Sequence, residues 1–224
     1  MKLNVKSFFN FLNIIYNLCS MDKNTLKTIK LTEKHTKIIE SIWISSLPEN
    51  LKSMIGGVLI ERYLHKFFKN DKNLGVGIFE GNNLLGFVLF GDDSKITSLL
   101  IKEKFFFIIK TFIYSLIFLN IKKIKNFVNC LMYILLSKKK ENITKRNSTE
   151  LLIICVSQYK QKKGIGTSLL KECFQNYKFY FEDYSNVYVK TLKKNPENIS
   201  FYKKNKFNYI FEVFGRVYLE RKIN

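Results

Sequence analysis

One segment constrains the fold more than any other: an apolar strand, a short loop with two glycines and an amphipathic helix in succession. Residues 151–156, Leu-Leu-Ile-Ile-Cys-Val, form a continuous apolar run with β-branched residues, which is typical of a central strand buried on both faces. Residues 167–177 then carry apolar side chains at helical spacing, namely Leu169, Leu170, Cys173 and Phe174. The segment therefore predicts a mixed α and β fold in which a helix packs on a sheet.

The loop between this strand and this helix has the composition of a phosphate-binding turn. Its residues are Gln161, Lys162, Lys163, Gly164, Ile165 and Gly166. Consecutive backbone N–H groups at a helix start converge on an anion, and the helix dipole adds favourable charge. The glycines let the backbone approach oxygen atoms without a Cβ in the way, and the lysines add positive charge. An ordinary tight turn would use the same residues, so the loop alone leaves both interpretations open.

The spacing of this loop differs from two other nucleotide-binding loops. The dinucleotide fingerprint has three glycines and lies at the first strand of its unit, whereas this loop lacks the third glycine. The loop of the nucleoside triphosphatases ends in Gly-Lys-Ser/Thr, which is absent here.

The rest of the chain alternates predicted strands and helices without an internal repeat. Further strands are predicted at residues 28–31, 75–79, 84–90, 186–191, 207–214 and 216–221. One helix is predicted between Thr32, which can cap it, and Pro48, which breaks it. Two more are predicted at residues 51–69 and 197–204. We expect these elements to form one domain over residues 21–224.

Residues 95–147 differ in character and are expected to form a helical insertion. Residues 105–119 and 127–136 are mainly apolar, with lysines between and after them. Each stretch is shorter than the roughly 20 apolar residues that span a bilayer, so a helical hairpin is the simpler interpretation. Apolar faces flanked by lysines suit an interfacial helix, so residues 104–137 could make peripheral contact with a membrane. Packing on the parent domain or on a second subunit in a homodimer is the alternative.

Residues 1–20 combine early lysines with an apolar run that asparagines interrupt. The run lacks a small-residue cleavage site, so an export signal is not expected. Met21 opens a better domain start. We expect residues 1–20 to be an amphipathic N-terminal extension or to precede the true start of translation.

Cysteine and histidine usage bounds the compartment and the chemistry. The four cysteines fit no zinc spacing and no disulfide framework, which favours a reducing cytoplasm. If the insertion binds a membrane, the protein would lie at its inner, cytoplasmic face. The chain has only two histidines, so a metal site or a catalytic triad built on histidine is not expected, and no metal is expected.

The formal net charge of +20 favours anionic partners such as a phosphate-rich cofactor, a phospholipid surface or nucleic acid. Nearly all of the positive charge is lysine, and asparagine, isoleucine and phenylalanine are also plentiful, a mixture that A and T codon bias would produce. Arginine, which reads base edges, occurs only at Arg62, Arg146, Arg216 and Arg221. Nucleic acid is therefore not an expected partner.

A second motif lies downstream at residues 195–207, Asn-Pro-Glu-Asn-Ile-Ser-Phe-Tyr-Lys-Lys-Asn-Lys-Phe. Together with residues 161–166 it resembles the GNAT superfamily of N-acetyltransferases, whose loop is Gln/Arg-x-x-Gly-x-Gly/Ala and whose later signature is an asparagine and a short helix ending in Phe-Tyr. The resemblance runs from about residue 21 to the C-terminus. It implies an α+β fold with a mixed, mostly antiparallel sheet flanked by helices and with splayed fourth and fifth strands. Residues 95–147 would be an inserted helical hairpin before the fourth strand.

The resemblance also implies acetyl-CoA as acetyl donor and assigns residues to it. The implied cofactor-binding residues are Cys155, Val156, Gln161, Lys162, Lys163, Gly164, Ile165, Gly166, Thr167 and Asn195, with Asn198 as an alternative to Asn195. A backbone N–H near Val156 would stabilise the thioester oxyanion. Tyr202 matches the general acid for the thiolate, or is a packing aromatic. Glu150 is the candidate catalytic base, directly or through water, or a solvent-facing carboxylate at the strand end.

One departure from the superfamily pattern concerns local geometry. The glycine that usually precedes the last Phe is Lys206 here. That glycine ends the helix in a left-handed conformation, which costs a non-glycine residue about 1 kcal/mol. Asn205 could take part of that role.

Three functions are compatible with this resemblance. The first is an acetyltransferase that acts on a primary amine of a small molecule, such as an amino sugar of surface polysaccharide synthesis, by direct attack in a ternary complex. The second is a protein acetyltransferase acting on N-termini or lysines, which a net charge of +20 disfavours because a cationic substrate is repelled. The third is a non-catalytic module that binds acyl-CoA or a membrane.

Overall fold

The computed structural model describes residues 26–46, 60–92, 147–213 and 215–223. The expected N-terminal extension lies outside the described residues, as does the expected helical insertion except for its last residue. The strands are β1 Leu26–Lys30, β2 Leu74–Glu80, β3 Asn83–Gly91, β4 Ser148–Val156, β5 Asn186–Leu192, β6 Asn208–Val213 and β7 Arg216–Lys222. The helices are α1 Thr36–Ser46, α2 at residues 60–68, α3 Ile165–Asn176 and α4 Pro196–Lys204. Short 3₁₀ turns span Glu33–His35, Gln158–Lys160 and Lys178–Phe181.

The strands form one seven-stranded sheet in the order β1-β2-β3-β4-β5-β7-β6. Every neighbouring pair is antiparallel except β4 and β5, which are parallel. The parallel pair follows from the chain path, because β4 and β5 are joined by a crossover through α3. The prediction of a mixed, mostly antiparallel sheet is therefore confirmed.

Strands β4 and β5 separate partway along their length. They pair only where Ser148 to Leu151 meets Asn186 to Val189, although β4 continues to Val156 and β5 to Leu192. The predicted splay of the fourth and fifth strands is thus present. We call the wedge-shaped space beyond Leu151 and Val189 the β4–β5 gap.

The prediction that residues 151–156 are buried on both faces is wrong for most of that run. Leu151 is buried, whereas residues 152–156 are each half-buried. The physical reason is the gap, because a strand that loses a neighbour on one side leaves its main chain and part of its side chains accessible. The apolar sequence belongs to a strand that lines a cleft.

Two hydrophobic cores lie on opposite faces of the sheet. Helices α3 and α4 cover one face, where Leu169, Leu170 and Cys173 pack against Val187 and Leu219, as the helical spacing predicted. Helices α1 and α2 cover part of the other face, where their apolar side chains pack against β2 and β3. Helix α3 is therefore held firmly along its length, which fixes the direction of its N-terminus.

Helix α4 ends in a Schellman motif, in which left-handed Lys206 reverses the chain. Lys206 has a φ of 67°, and its N–H donates to the Lys203 carbonyl at 3.1 Å. The Phe207 N–H donates to the Tyr202 carbonyl at 3.0 Å, and the rings of these two residues lie 5.6 Å apart. Asn205 has a φ of −94°, so Lys206 itself takes the position that suits glycine.

Candidate functional site

The loop before α3 presents a row of backbone donors. Lys162 and Gly164 have left-handed φ values of 59° and 82°, and turns with left-handed residues make concave sets of N–H groups that bind anions. Gly164 is the N-cap of α3. The N–H groups of residues 162–167 have no acceptor among the described residues. The positive end of the helix dipole adds to this site, so the loop can hold a phosphate or a pyrophosphate.

The two glycines of the loop serve different purposes. A Cβ on Gly164 would meet nothing within 4 Å, so its positive φ is the reason for glycine there. A Cβ on Gly166 would lie 3.2 and 3.3 Å from two ring atoms of Phe201, which precedes Tyr202 on α4. Gly166 therefore allows α4 to pack closely against the start of α3. From the sequence, Gly166 was expected to let the backbone approach a ligand or to tighten the turn, and its contact with Phe201 was not predicted.

Gln161 ties the loop to strand β4, because its Nε2 donates to the Val156 carbonyl at 3.1 Å. The Ser157 N–H donates to the Leu85 carbonyl at 2.8 Å, which places Ser157 and Cys155 in register with β3. Because hydrogen-bonding direction alternates along an antiparallel strand, the main-chain groups of Ile154 and Val156 face the β4–β5 gap. Their N–H groups are the donors that this strand offers to a ligand there.

The side chain of Cys155, which was predicted to bind the cofactor, lies away from the α3 and α4 face of the sheet. Its Sγ lies 3.4 Å from Ser46 Oγ at the end of α1, on the other face of the sheet. Burial raises the pKa of this thiol, and the hydrogen bond to Ser46 offsets part of that shift. A buried thiol with a raised pKa is a poor nucleophile. Among the cofactor residues expected on β4, the geometry favours Val156 and adds Ile154.

Tyr202 lies on α4 and is only 7% exposed. Its ring packs against Phe201 and Phe207 at centroid distances of 5.2 and 5.6 Å. Its hydroxyl has no hydrogen-bond partner among the described residues and still reaches solvent. Burial raises the pKa of Tyr202 above its ordinary value, and the nearby thiol of Cys155 adds to the shift. Tyr202 belongs to the core cluster against which Ile154 and Val156 pack, the β4 residues whose main chain faces the gap, and its phenol stays protonated at neutral pH.

Glu150 lies on the paired part of β4, and its expected alternative as a solvent-facing carboxylate is wrong. The residue is 7% exposed. The hydroxyl of Tyr188 donates to its Oε2 at 2.9 Å, and the ammonium group of Lys190 lies 3.1 Å from the same atom. Four residues of extended strand separate Glu150 from Ile154, which is about 13 Å at 3.3 Å per residue. Over that distance, Glu150 can act on a group at Ile154 only through a chain of water molecules.

Sequence reasoning missed Tyr188 and Lys190 as partners of Glu150. The signal is the register of β4 with β5, in which Glu150 lies opposite Tyr188. Alternation along β5 then places Tyr188 and Lys190 on the same face. Neither residue belongs to a recognisable motif, so the contact appears only once the two strands are paired.

Asn195 is the N-cap residue of α4, yet its side chain makes no capping hydrogen bond. The residue is half-buried, and among the described residues its side-chain amide has no partner. An uncommitted amide at the start of α4 suits a ligand contact. Elsewhere in the predicted cofactor set, Lys162, Lys163 and Thr167 are exposed at the loop, while the Ile165 side chain is buried against the α3 core.

Within the described ranges, no group of three or more His, Cys, Asp or Glu side chains is placed to hold a metal ion. The helices in those same ranges are all too short or too polar to cross a membrane.

The chain matches no protein-family model and no curated protein, but solved structures share its fold. PaiA N-acetyltransferase from Thermoplasma acidophilum, in complex with coenzyme A, is 15% identical, with a TM-score of 0.56 over 88% of this chain and 99% of that one. An acetyltransferase from Thermus thermophilus is 12% identical, with a TM-score of 0.54 over 88% and 97%. The GNAT domain of S. lividans PAT is 11% identical, with a TM-score of 0.54 over 88% and 90%. The chain therefore has the GNAT fold, as predicted.

Proposed function

We propose that this protein is an N-acetyltransferase that transfers acetyl from acetyl-CoA to a primary amine of a small molecule. The observation that carries the proposal is one continuous arrangement. The unpaired N–H groups of residues 162–167 lie at the start of α3, and the β4–β5 gap adjoins them at Val156. This arrangement fits a ligand that has a pyrophosphate and an amide-containing arm. The pyrophosphate would bind the N–H groups, and the arm would lie in the β4–β5 gap.

The described residues divide the binding of acetyl-CoA between them. The N–H groups of residues 162–167, with Lys162 and Lys163 beside them, bind the pyrophosphate. Of the two β4 N–H groups that face the gap, those of Ile154 and Val156, one donates to the pantetheine arm, as one strand does to the next, and the other is left for the thioester. Asn195 supplies a side-chain amide from the other side of the gap. The Val156 carbonyl already accepts from Gln161, so Val156 offers only its N–H.

The chemistry follows from which groups can hold or release a proton. The thioester of acetyl-CoA supplies the acetyl group and a thiolate leaving group. A neutral amine forms the new C–N bond as the C–S bond breaks, and an N–H of Ile154 or Val156 stabilises the oxyanion. Tyr202, whose raised pKa keeps it protonated, donates a hydrogen bond to the thiolate. Glu150 takes the proton of the amine through water.

An amino sugar of surface polysaccharide synthesis is the acceptor class that we propose. The net charge of +20 repels lysine-rich protein substrates, and an acceptor at a membrane surface would give the apolar residues 104–137 a purpose. The release of free CoA with a panel of amino sugars and of peptides separates these acceptors. Faster release with peptides than with amino sugars would reverse the proposed preference.

The sharpest test of cofactor binding is Thr167→Glu, with Thr167→Gln as the uncharged control of similar size. Thr167 is exposed in the first turn of α3, where a carboxylate stabilises a helix by about 0.3–1 kcal/mol. The same carboxylate repels the pyrophosphate, at a cost on the order of 1–4 kcal/mol. We expect acetyl-CoA binding, measured by calorimetry, to weaken by about tenfold in Thr167→Glu while the urea midpoint is unchanged or higher.

Two results would contradict this proposal in different ways. If the wild-type protein does not bind acetyl-CoA, the proposed function is wrong. If the wild type binds but Thr167→Glu binds equally well, the phosphates do not lie at the start of α3.

A further inference from the structure

The 3₁₀ turn Gln158–Lys160, just ahead of the phosphate loop, is anchored on both sides. Gln158 Nε2 donates to the Ser45 carbonyl at 3.2 Å, which ties the turn to the end of α1. The ammonium group of Lys160 donates to both carboxylate oxygens of Glu80 at 3.0 and 2.8 Å, which ties it to the end of β2. With Gln161 bonded to β4, three side chains hold this turn against the body of the protein.

The residue at the centre of this anchored turn, Tyr159, projects outward. It is 85% exposed, more than any other large hydrophobic residue in the described ranges. Within those ranges, its ring contacts no other aromatic ring. Single exposed apolar residues are common on protein surfaces. Here hydrogen bonds from the side chains of Gln158, Lys160 and Gln161 anchor the backbone on either side of Tyr159, so the ring is attached at a fixed place beside the loop.

The surroundings of Tyr159 are those of a nucleotide site. Lys162 and Lys163 follow it closely and are exposed, and the unpaired N–H groups of residues 162–167 lie beyond. The charge of Lys160 is already compensated by Glu80, so the positive charge left for a ligand lies on the loop side of the ring. A flat aromatic surface beside a phosphate site suits a purine base joined to phosphates, because the face of any base can stack on an aromatic side chain.

We propose that Tyr159 is the surface on which the adenine ring of acetyl-CoA stacks, with Lys162 and Lys163 beside the phosphates. This inference rests on the proposed function and adds a specificity residue to it. Base–aromatic stacking changes affinity by about 5- to 150-fold on removal of the ring. An exposed single-sided stack belongs at the low end, so the expected loss is about fivefold.

The experiment measures calorimetric affinities of four proteins for two ligands. The proteins are the wild type, Tyr159→Ala, Tyr159→Phe and Phe179→Ala; the ligands are acetyl-CoA and adenosine 3′,5′-bisphosphate, which keeps the nucleotide and lacks the pantetheine arm. Phe179 is 66% exposed and lies beyond the far end of α3, a helix of 12 residues and hence about 18 Å long. It is therefore a matched control for the loss of an exposed aromatic ring.

We expect Tyr159→Ala to weaken binding of both ligands by a similar factor of about five. Tyr159→Phe retains the ring and should bind like the wild type, as should Phe179→Ala. Because Tyr159 is exposed, the urea midpoint of Tyr159→Ala should equal that of the wild type, which separates lost stacking from lost folding.

Each other outcome overturns the inference. If Tyr159→Ala weakens acetyl-CoA binding but not bisphosphate binding, the ring touches the pantetheine arm or the acceptor side. If neither affinity changes while the wild type binds acetyl-CoA, Tyr159 lies outside the cofactor site and the proposed function stands without it. If the wild type binds neither ligand, the proposed function itself fails.

Discussion

The two halves of strand β4 differ in sequence and in burial, and the more polar half, Ser-Thr-Glu-Leu, is the more deeply buried. The first half, Ser148 to Leu151, pairs with β5 throughout and with β3 at Glu150 and Leu151, and its residues from Thr149 onward are buried. The second half, residues 152–156, keeps β3 and lacks β5, and its residues are half-buried. Apolar content therefore does not show which part of a strand is fully buried and which part lines a cleft. Pairing on the second side distinguishes them.

The largest effect that tests this comparison is on stability. Leu151→Ala, in the paired half, should lower the free energy of unfolding by about 2–5 kcal/mol, as truncation of a fully buried leucine does. Ile154→Ala, in the gap half, should lower the free energy of unfolding by roughly half as much. The Ile154 side chain is only half-buried, so folding removes less of its apolar surface from water. Urea denaturation of both variants measures the difference. Equal losses would show that the two halves are packed alike.

The next effect is on catalysis at the gap. Tyr202→Phe keeps the ring that packs against Phe201 and Phe207 but removes the hydroxyl, so acetyl-CoA affinity should hold while kcat falls by about 100-fold. Because burial raises the pKa of Tyr202, its neutral form persists above the ordinary value of about 10. Its ionisation should therefore not limit the rate between pH 7 and 9. Stopped assays of CoA release over that range measure both quantities.

A purely structural role for Tyr202 would give a different pattern. In that case the Tyr202→Phe variant would keep the kcat of the wild type. An alkaline loss of activity near pH 8 that disappears in the variant would contradict the raised pKa.

The smallest expected effect is on the stability of α4, the helix that carries Tyr202. Lys206→Gly should raise the free energy of unfolding by about 1 kcal/mol, since the left-handed φ of 67° strains a non-glycine residue. Lys203→Gly removes the same charge from the exposed side of α4 and should lower it by about 1 kcal/mol. Urea denaturation of the pair checks the opposite signs. A loss of stability in both would mean that Lys206 is not strained.

Much of the fold could be predicted from the sequence because its signals are local. The loop and helix around Gly164 depend on residues close in the chain, and so does the left-handed turn at Lys206. The environment of Glu150 could not be predicted in this way. It depends on a parallel register with Tyr188, a residue 38 positions away. The half-burial of residues 152–156 likewise depends on where β5 diverges, which no local pattern encodes.

In the candidate site, too, the features with a local sequence signal were predicted and those that depend on distant residues were not. The donors at the start of α3 were predicted from the loop composition, and the structure shows them unpaired among the described residues. The orientation of Cys155 towards Ser46 was not predictable, because it depends on which face of β4 each side chain takes. The position of the turn that carries Tyr159 was not predictable either, since its anchors at Ser45 and Glu80 lie far away in the chain.

The contact between Gly166 and the ring of Phe201 has a consequence for how the two motifs can evolve. A larger residue at 166 would push on the ring 3.2 Å away, and with it the neighbouring Tyr202. The two positions should therefore co-vary: an aromatic residue at 201 favours glycine at 166, and alanine at 166 is accommodated more easily where the residue at 201 is small. The loop before α3 and the helix that carries Tyr202 are thus constrained together, although 35 positions separate Gly166 from Phe201.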